Sequence, residues 1–215
     1  MDDLTLVQKI VVWVIPVIFA ITVHEVAHGW VAKLCGDKTA WMLGRLTLNP
    51  IKHIDPVGTI LVPGLMLATT GFVFGWAKPV PVISRNLHHP KRDMALVAIA
   101  GPLANFLMAL AWALFIRLAI FINITEYSMP MIYVGIAGIM INIVLGLLNL
   151  LPIPPLDGSR IVSWLLPAQW EHYYQYIERY GFFILIALMM TDVLGDILGA
   201  PIGYVKAFYF SLAGL

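Results

Sequence analysis

The chain has 215 residues; 60% are hydrophobic, 12% are charged, the net charge is +1 and the mean hydropathy is +0.88. A soluble domain carries about 25% charged residues, so this composition favours a protein whose surface faces lipid. The small net charge gives no indication of a nucleic-acid partner. The single cysteine, Cys35, excludes an internal disulfide and a cysteine-rich zinc motif. We expect one integral-membrane domain over residues 1–215.

Four apolar segments are candidates for membrane-spanning helices, which need about 20 residues each. They cover residues 10–32, 94–118, 131–152 and 180–198. No Lys or Arg precedes Lys9 and no small-residue cleavage site follows the first segment, so we expect it to be retained rather than removed as a signal peptide. Asp192 and Asp196 interrupt the fourth segment, and the apolar stretch 201–215 suits an interfacial or a further hydrophobic segment. The predicted fold class is an all-α polytopic membrane protein.

Residues 57–77 are apolar and uncharged, but glycine and proline punctuate them at Gly58, Pro63, Gly64, Gly71 and Gly75. Irregular backbone at membrane depth survives only where protein covers it or where it lines a wet cavity, so we predict a re-entrant loop here. Alternating side chains and turn residues within 43–59 predict a short strand pair. The region 44–82 is therefore expected to combine the re-entrant loop with short β-hairpin elements.

Basic residues indicate how the chain crosses the membrane. Eight of the thirteen lie between Lys33 and Arg92, and the positive-inside rule places that whole region in the cytoplasm. The N-terminus and the loop 123–130 are then outside, and residues 156–179 are inside. The C-terminus is outside if the fourth segment is a true span.

The sharpest chemical signal is the run His24-Glu25-Val26-Ala27-His28 inside the first apolar segment. Residues four apart share one face of a helix, so both imidazoles can reach one metal ion, and Glu25 can act as general base toward a water on that ion. Zinc suits this chemistry, with three protein ligands and one position for water. Packing accounts poorly for this cluster, because ionisable groups at membrane depth are costly and usually functional.

Asp157 is the best candidate for the third ligand. It follows the third predicted span at its inner end, and the histidines lie toward the inner end of the first, so the topology brings all three groups to the same side. That agreement depends on 57–77 not crossing the bilayer. The alternative is that Asp157 is a turn residue beside Gly158, or the N-cap of a helix over 159–166.

Taken together, these residues resemble the site-2 protease family of intramembrane zinc metalloproteases, in its short prokaryotic form without a PDZ domain. The resemblance is carried by five stretches: His24-Glu25-x-x-His28, Asn149-x-x-Pro152 with Asp157-Gly158, Gly101-Pro102-Leu103-Ala104-Asn105-Phe106, 74–82, and 46–56. It implies an endopeptidase of a prokaryotic cell membrane that cleaves a peptide bond in or near a substrate's transmembrane helix. It further implies one Zn²⁺ per chain, held by His24, His28 and Asp157, with Glu25 catalytic and the site toward the cytoplasm.

Several other residues are candidate substrate contacts. The resemblance implies that Asn149 hydrogen-bonds the substrate backbone or the oxyanion; the alternative is an interior amide satisfied by a neighbouring helix. The segment with Lys78, Pro79, Val80 and Pro81 suits an extended edge that binds an unwound substrate by β-augmentation; the alternative is an ordinary structural hairpin.

Asn105 is placed with the candidate substrate contacts too, although a structural tie between the second span and the re-entrant loop is equally consistent with the sequence. Two other functions compete with proteolysis, namely a metal transporter or sensor and an inactive scaffold for membrane helices. The sequence leaves self-association open.

Overall fold

The computed structural model describes residues 4–62, 65, 75–122, 125–191 and 193–215, and these ranges are built from helices and loops. The α-helices are α1 (Leu6–Leu34), α2 (Thr39–Met42), α3 (Pro90–Ile122), α4 (Thr125–Asn149), α5 (Gly158–Leu165), α6 (Ala168–Met189) and α7 (Val193–Ala213). Short turns of 3₁₀-helix cover Pro50–His53 and Ser84–Asn86, and a π-helical turn covers Pro56–Leu61.

Three helices are long and apolar enough to cross a membrane, over Val7–Leu34, Pro90–Ile122 and Ser128–Asn149. They confirm the first three predicted spans as helices, although α1 and α3 extend beyond the predicted bounds, and α4 begins at Thr125 and ends at Asn149 where the prediction gave 131–152. Their large apolar side chains are extensively exposed, among them Phe19, Leu107 and Phe121. Such a surface is the reverse of a soluble protein's and fits contact with lipid.

The fourth predicted span, 180–198, is divided between two helices. The chain ends α6 at Met189 and starts α7 at Val193, and the two helices form an angle of 79°. Asp196, predicted to interrupt a span, instead lies in the first turn of a new helix. An acidic residue there is favoured by the helix dipole. The bent pair can count as one further span, so the chain has three or four.

The predicted strand pair within 43–59 is absent from the described residues, where short helical turns replace it. Asn49 accepts a hydrogen bond from the Ile51 N–H ahead of the turn that begins at Pro50. Asp55 accepts hydrogen bonds from two backbone N–H groups ahead of the π-helical turn. These local caps satisfy backbone groups that a strand would have offered to a partner. The predicted re-entrant loop falls largely on 63–64 and 66–74, outside the described residues.

The buried core lies where α3, α4 and α7 meet. It consists of small and branched residues together with one tyrosine: Ala109, Ala113, Ile116, Ile139, Ile143, Tyr209 and Ala213. Gly138 lets α4 approach α3 closely, because a Cβ at that position would collide with the Trp112 ring. Small residues at such contacts are the usual means of close packing between membrane helices. The stretch 201–215 thus packs on the bundle as part of α7.

Asp37 fixes the loop that follows α1. Its fully buried carboxylate accepts hydrogen bonds from the Thr39 N–H and hydroxyl, the Asn86 amide and the Ile83 N–H. Burial would raise the pKa of this carboxyl, but these donors hold it below its ordinary value. The Ile83 contact ties down one end of the segment 75–83, which passes over the C-terminal half of α1 at Glu25 and Gly29.

Candidate metal centre

Two side chains of α1 and one from a distant part of the chain converge at one point. The His24 and His28 Nε2 atoms lie 3.0 Å apart, and each lies 3.3 Å from Asp157 Oδ2. The two histidines are one helical turn apart within α1, and Asp157 sits directly before α5. The imidazoles are 11% exposed and the Asp157 side chain 20%, so the group is largely buried without being closed to water.

The outer nitrogens of both rings have fixed partners. His24 Nδ1 lies 2.6 Å from Asn105 Oδ1, and His28 Nδ1 lies 2.7 Å from the Val97 carbonyl oxygen. Both partners lie on α3. Since a carbonyl or amide oxygen accepts a hydrogen bond, both Nδ1 atoms act as donors, and in the neutral rings both Nε2 atoms are then unprotonated. An unprotonated Nε2 is the form of histidine that binds a metal.

The donor set fits zinc by its chemistry and by one unsatisfied atom. Two imidazole nitrogens and one carboxylate are a typical catalytic zinc set that leaves a fourth position for water. Asp157 Oδ2 is buried and has no hydrogen-bond partner, which is costly unless a cation compensates it. Within the described residues this is the one cluster that can hold a metal.

Glu25 lies next to His24 in the chain, and one of its oxygens is already positioned. Its Oε2 accepts the Val80 N–H at 2.7 Å, and no hydrogen bond to Oε1 is seen within the described part of the chain. Val80 belongs to the segment 75–83, and its side chain is buried against Gly29. The segment predicted to contact substrate therefore holds one oxygen of the candidate general base.

Gly101 makes room for the two rings. A Cβ at this position of α3 would come within 2.5 Å of atoms of both His24 and His28, far inside van der Waals contact. We expect Gly101→Ala to displace the rings and to weaken zinc binding at least about tenfold, the scale of effects on residues that orient metal ligands. Competition with a chelator of known zinc affinity measures the zinc Kd of the variant.

Gly199→Ala is the matched control. Gly199 also lies inside a helix, α7, but a Cβ there meets no atom within 4 Å, and alanine is the better helix former. Zinc affinity should be unchanged in this variant. Equal zinc affinity in the Gly101 and Gly199 variants would show that the packing of Gly101 does not shape the site.

The other predicted site residues take varied positions. Asn149 is half-buried at the end of α4 and donates one N–H to the Leu145 carbonyl at 2.9 Å. The carbonyl oxygens of Lys78 and Pro79 accept from Arg45 at 2.9 and 3.4 Å. Pro81 is half-buried in the same segment. Asn105 is fully buried against His24, a position that favours support of the histidine over contact with substrate.

Sequence analysis gave no role to Asn142, which donates and accepts within the same buried network as Asn105. A signal was available in the sequence, because two amides stand in apolar spans where an unpaired polar group is costly. Their pairing across α3 and α4 depends on helix rotation and close packing, and the sequence alone did not supply either.

Comparison with known proteins agrees with this geometry. Residues 121–191 match the family model described as Peptidase family M50. The Bacillus subtilis (strain 168) protein named "Putative zinc metalloprotease YwhC" is 42% identical over 188 residues, which cover 84% of this chain and 80% of that protein. "Putative zinc metalloprotease Rip2" of Mycolicibacterium smegmatis is 28% identical, over 82% of this chain and 66% of its own length. "Regulator of sigma E protease" of Haemophilus influenzae is 26% identical, over 71% of this chain but only 34% of its own length.

No solved structure gives a significant match. The relatives confirm the predicted enzyme class, a zinc metalloprotease, and with it the zinc cofactor. Together with the long apolar helices, they also confirm an integral membrane protein that crosses the bilayer several times. The roles of individual site residues stay predictions.

Proposed function

The chain belongs to peptidase family M50, the site-2 proteases, and on that premise we propose that it is an endopeptidase that hydrolyses a peptide bond in or near the transmembrane helix of a membrane-protein substrate. One observation carries the proposal: two Nε2 atoms and a carboxylate oxygen meet within 3.3 Å of each other, beside Glu25, on an apolar helix. A site on an apolar helix that can span the membrane suits a substrate that is itself in the membrane.

In this mechanism His24, His28 and Asp157 would hold the ion. When bound, zinc supplies a Lewis acid that activates water and polarises the substrate carbonyl. Glu25 acts as general base: it accepts a proton from the attacking water and passes it to the leaving amine. Because Val80 N–H holds Oε2, Oε1 is the oxygen we assign to this proton. Asn149 uses one of its two N–H groups on Leu145, and we assign the other to the substrate carbonyl oxygen.

Lys78, Pro79, Val80 and Pro81 would place the substrate. Their backbone lies outside the helices and runs past Glu25, where the Val80 and Pro81 carbonyl oxygens would accept hydrogen bonds from an unwound peptide. Unwinding matters because a helix hides its own amides within its hydrogen bonds. Residues 78–81 thus serve two purposes in this proposal, since they align the peptide and hold the general base.

We also place the site on the cytoplasmic side. The basic residues between Lys33 and Arg92 favour this side. The segment between them also closes on itself, because Trp76 N–H donates to the Gly58 carbonyl at 3.0 Å and the Thr59 hydroxyl donates to Trp76 O at 2.9 Å. This contact between residues 58–59 and Trp76 supports the proposed re-entrant loop, in which the basic residues would stay on one side of the membrane.

Cysteine labelling tests this orientation. In a Cys35→Ser background, a cysteine at exposed Lys52 should resist a membrane-impermeant maleimide in intact cells and react in inverted vesicles. A cysteine at exposed Thr5, ahead of the first span on the predicted outer side, should show the opposite pattern. Labelling of both positions from the same side would contradict the proposed topology.

The test of the proposed function is cleavage of a single-span test substrate by the purified protein, with zinc content measured on the same sample. Cleavage within or beside the span, lost on removal of zinc and restored by its return, is the expected result. A metal transporter would instead carry zinc into proteoliposomes without cleaving. No observation favours that alternative, because the described residues contain one metal-binding cluster and no second along the membrane.

A further inference from the structure

His24 is tied to a chain of two buried amides that ends on a backbone carbonyl. His24 Nδ1 lies 2.6 Å from Asn105 Oδ1, Asn105 Nδ2 donates to Asn142 Oδ1 at 2.9 Å, and Asn142 Nδ2 donates to the Gly138 carbonyl at 2.8 Å. Asn105 and Asn142 are both fully buried. The chain of hydrogen bonds runs from α1 through α3 to α4, and neither amide has been given a catalytic part.

The direction of this chain is fixed at its far end. A backbone carbonyl can only accept, so Asn142 must turn its NH₂ toward Gly138 and its oxygen toward Asn105. Asn105 must then turn its own NH₂ toward Asn142 and its oxygen toward His24. His24 Nδ1 is left as the donor, and its Nε2 as the unprotonated nitrogen that faces Asp157 and His28.

A second contact supports the same direction. Asn105 Nδ2 also donates to the Ala20 carbonyl at 3.4 Å, another group that can only accept. The two histidines differ in this respect: a backbone carbonyl orients His28 directly, whereas only side chains orient His24. An Asn side chain can rotate or flip unless its partners prevent it, so the state of His24 depends on the two acceptors of the Asn105 NH₂, of which Asn142 is the nearer.

We propose that Asn142 is a positioning residue for zinc: acting through Asn105, it holds His24 as the tautomer that carries its proton on Nδ1, with Nε2 presented to the metal. The inference rests on the proposed function, because it assumes that His24 is a zinc ligand. It assigns Asn142 no contact with substrate or metal.

The hydrogen bonds that link Gly138, Asn142, Asn105 and His24 form the relay, and two substitutions distinguish its role from simple packing. Asn142→Leu has similar volume but offers no acceptor to Asn105. Only the longer contact with the Ala20 carbonyl, at 3.4 Å, is then left to hold the Asn105 NH₂ away from His24. Asn142→Asp offers an oxygen to Asn105 in either protonation state, so the relay direction survives. We expect zinc Kd, measured by chelator competition, to rise about 10- to 100-fold in Asn142→Leu and to stay within about threefold of wild type in Asn142→Asp.

Ile143→Ala is the matched destabilised control. Ile143 neighbours Asn142, is fully buried in the core cluster and takes no part in the relay. Its truncation should lower Tm while zinc Kd stays as in wild type. A purely structural role for Asn142 predicts the opposite, namely that zinc Kd follows Tm across all the variants.

The tautomer of His24 can be measured in the wild-type protein, without an activity assay and without a variant. In protein labelled with ¹⁵N-histidine, two-bond ¹H–¹⁵N spectra of the wild type should show His24 protonated on Nδ1. A His24 protonated on Nε2, an Asn142→Leu zinc Kd equal to wild type, or equal weakening in the Leu and Asp variants would each overturn the relay. Wild-type protein that neither holds zinc nor cleaves would instead count against the proposed function.

Discussion

Glu25→Gln is expected to lose cleavage by about 10²- to 10⁴-fold, the usual contribution of a general base, while keeping its zinc. Glutamine is isosteric with glutamate, and its side-chain oxygen can still accept the Val80 N–H that Oε2 accepts at 2.7 Å in the wild type. The amide cannot take a proton from water, so chemistry is lost without loss of position. Single-turnover cleavage of the single-span substrate gives the rate, and mass spectrometry of the purified variant gives the zinc content.

Glu178→Gln is the matched control for this change. It makes the same chemical substitution on α6, where Glu178 pairs with Arg160 at the protein surface. An exposed ion pair contributes about 0–1 kcal/mol, so cleavage and zinc content should stay near wild type. Full activity of Glu25→Gln would remove Glu25 from the mechanism, and loss of zinc from it would mean that the variant reports on metal binding rather than proton transfer.

The sequence predicted His24, Glu25 and His28 because each is costly at membrane depth. The two histidines stand at helical spacing in a run with no other ionisable residue than Glu25, and the order of spans brought Asp157 to the same side. The structure places their atoms within 3.3 Å. These residues could be chosen without coordinates, since packing alone rarely retains ionisable side chains inside an apolar span.

The supporting residues could not be predicted in the same way. Asn105 and Asn142 are uncharged, so their presence in an apolar span does not by itself indicate a functional site. Their link to His24 depends on the rotation of three helices about their axes. The bond from Val80 N–H to Glu25 uses a backbone group, which has no signature in the side-chain sequence.

The break between α6 and α7 shows a related limit. A window of mean hydropathy averages over 190–192, so it merges two bent helices into one span. Local helix-end signals, here Asp196 in a first turn, carried the information instead. The strand pair predicted within 43–59 failed for a similar reason, because caps such as that of Asp55 outweighed the alternating pattern.

Removal of any one ligand candidate is expected to remove zinc as well as activity. His24→Ala, His28→Ala and Asp157→Ala each leave two of three protein ligands, and a catalytic site normally needs three. We expect zinc content below about a tenth of wild type after chelator treatment, and cleavage reduced at least as far as in Glu25→Gln.

Stability gives these ligand variants a second readout. A ligand that binds only the folded protein stabilises it by about 2.7 kcal/mol at 100 times its Kd, so added zinc should raise the Tm of the wild type and of Glu25→Gln. The three ligand variants should show no such rise, because they lack the site.

His89→Ala is the control for loss of an imidazole, since His89 is exposed on the loop before α3 and lies outside the metal cluster. It should keep zinc, cleavage and the zinc-dependent rise in Tm. A ligand variant that kept a full complement of zinc would remove that side chain from the metal centre. Retention by Asp157→Ala in particular would mean that the ion is held by the histidines and a group other than this carboxylate, and the convergence of α1 with the residues before α5 would then serve packing rather than metal binding.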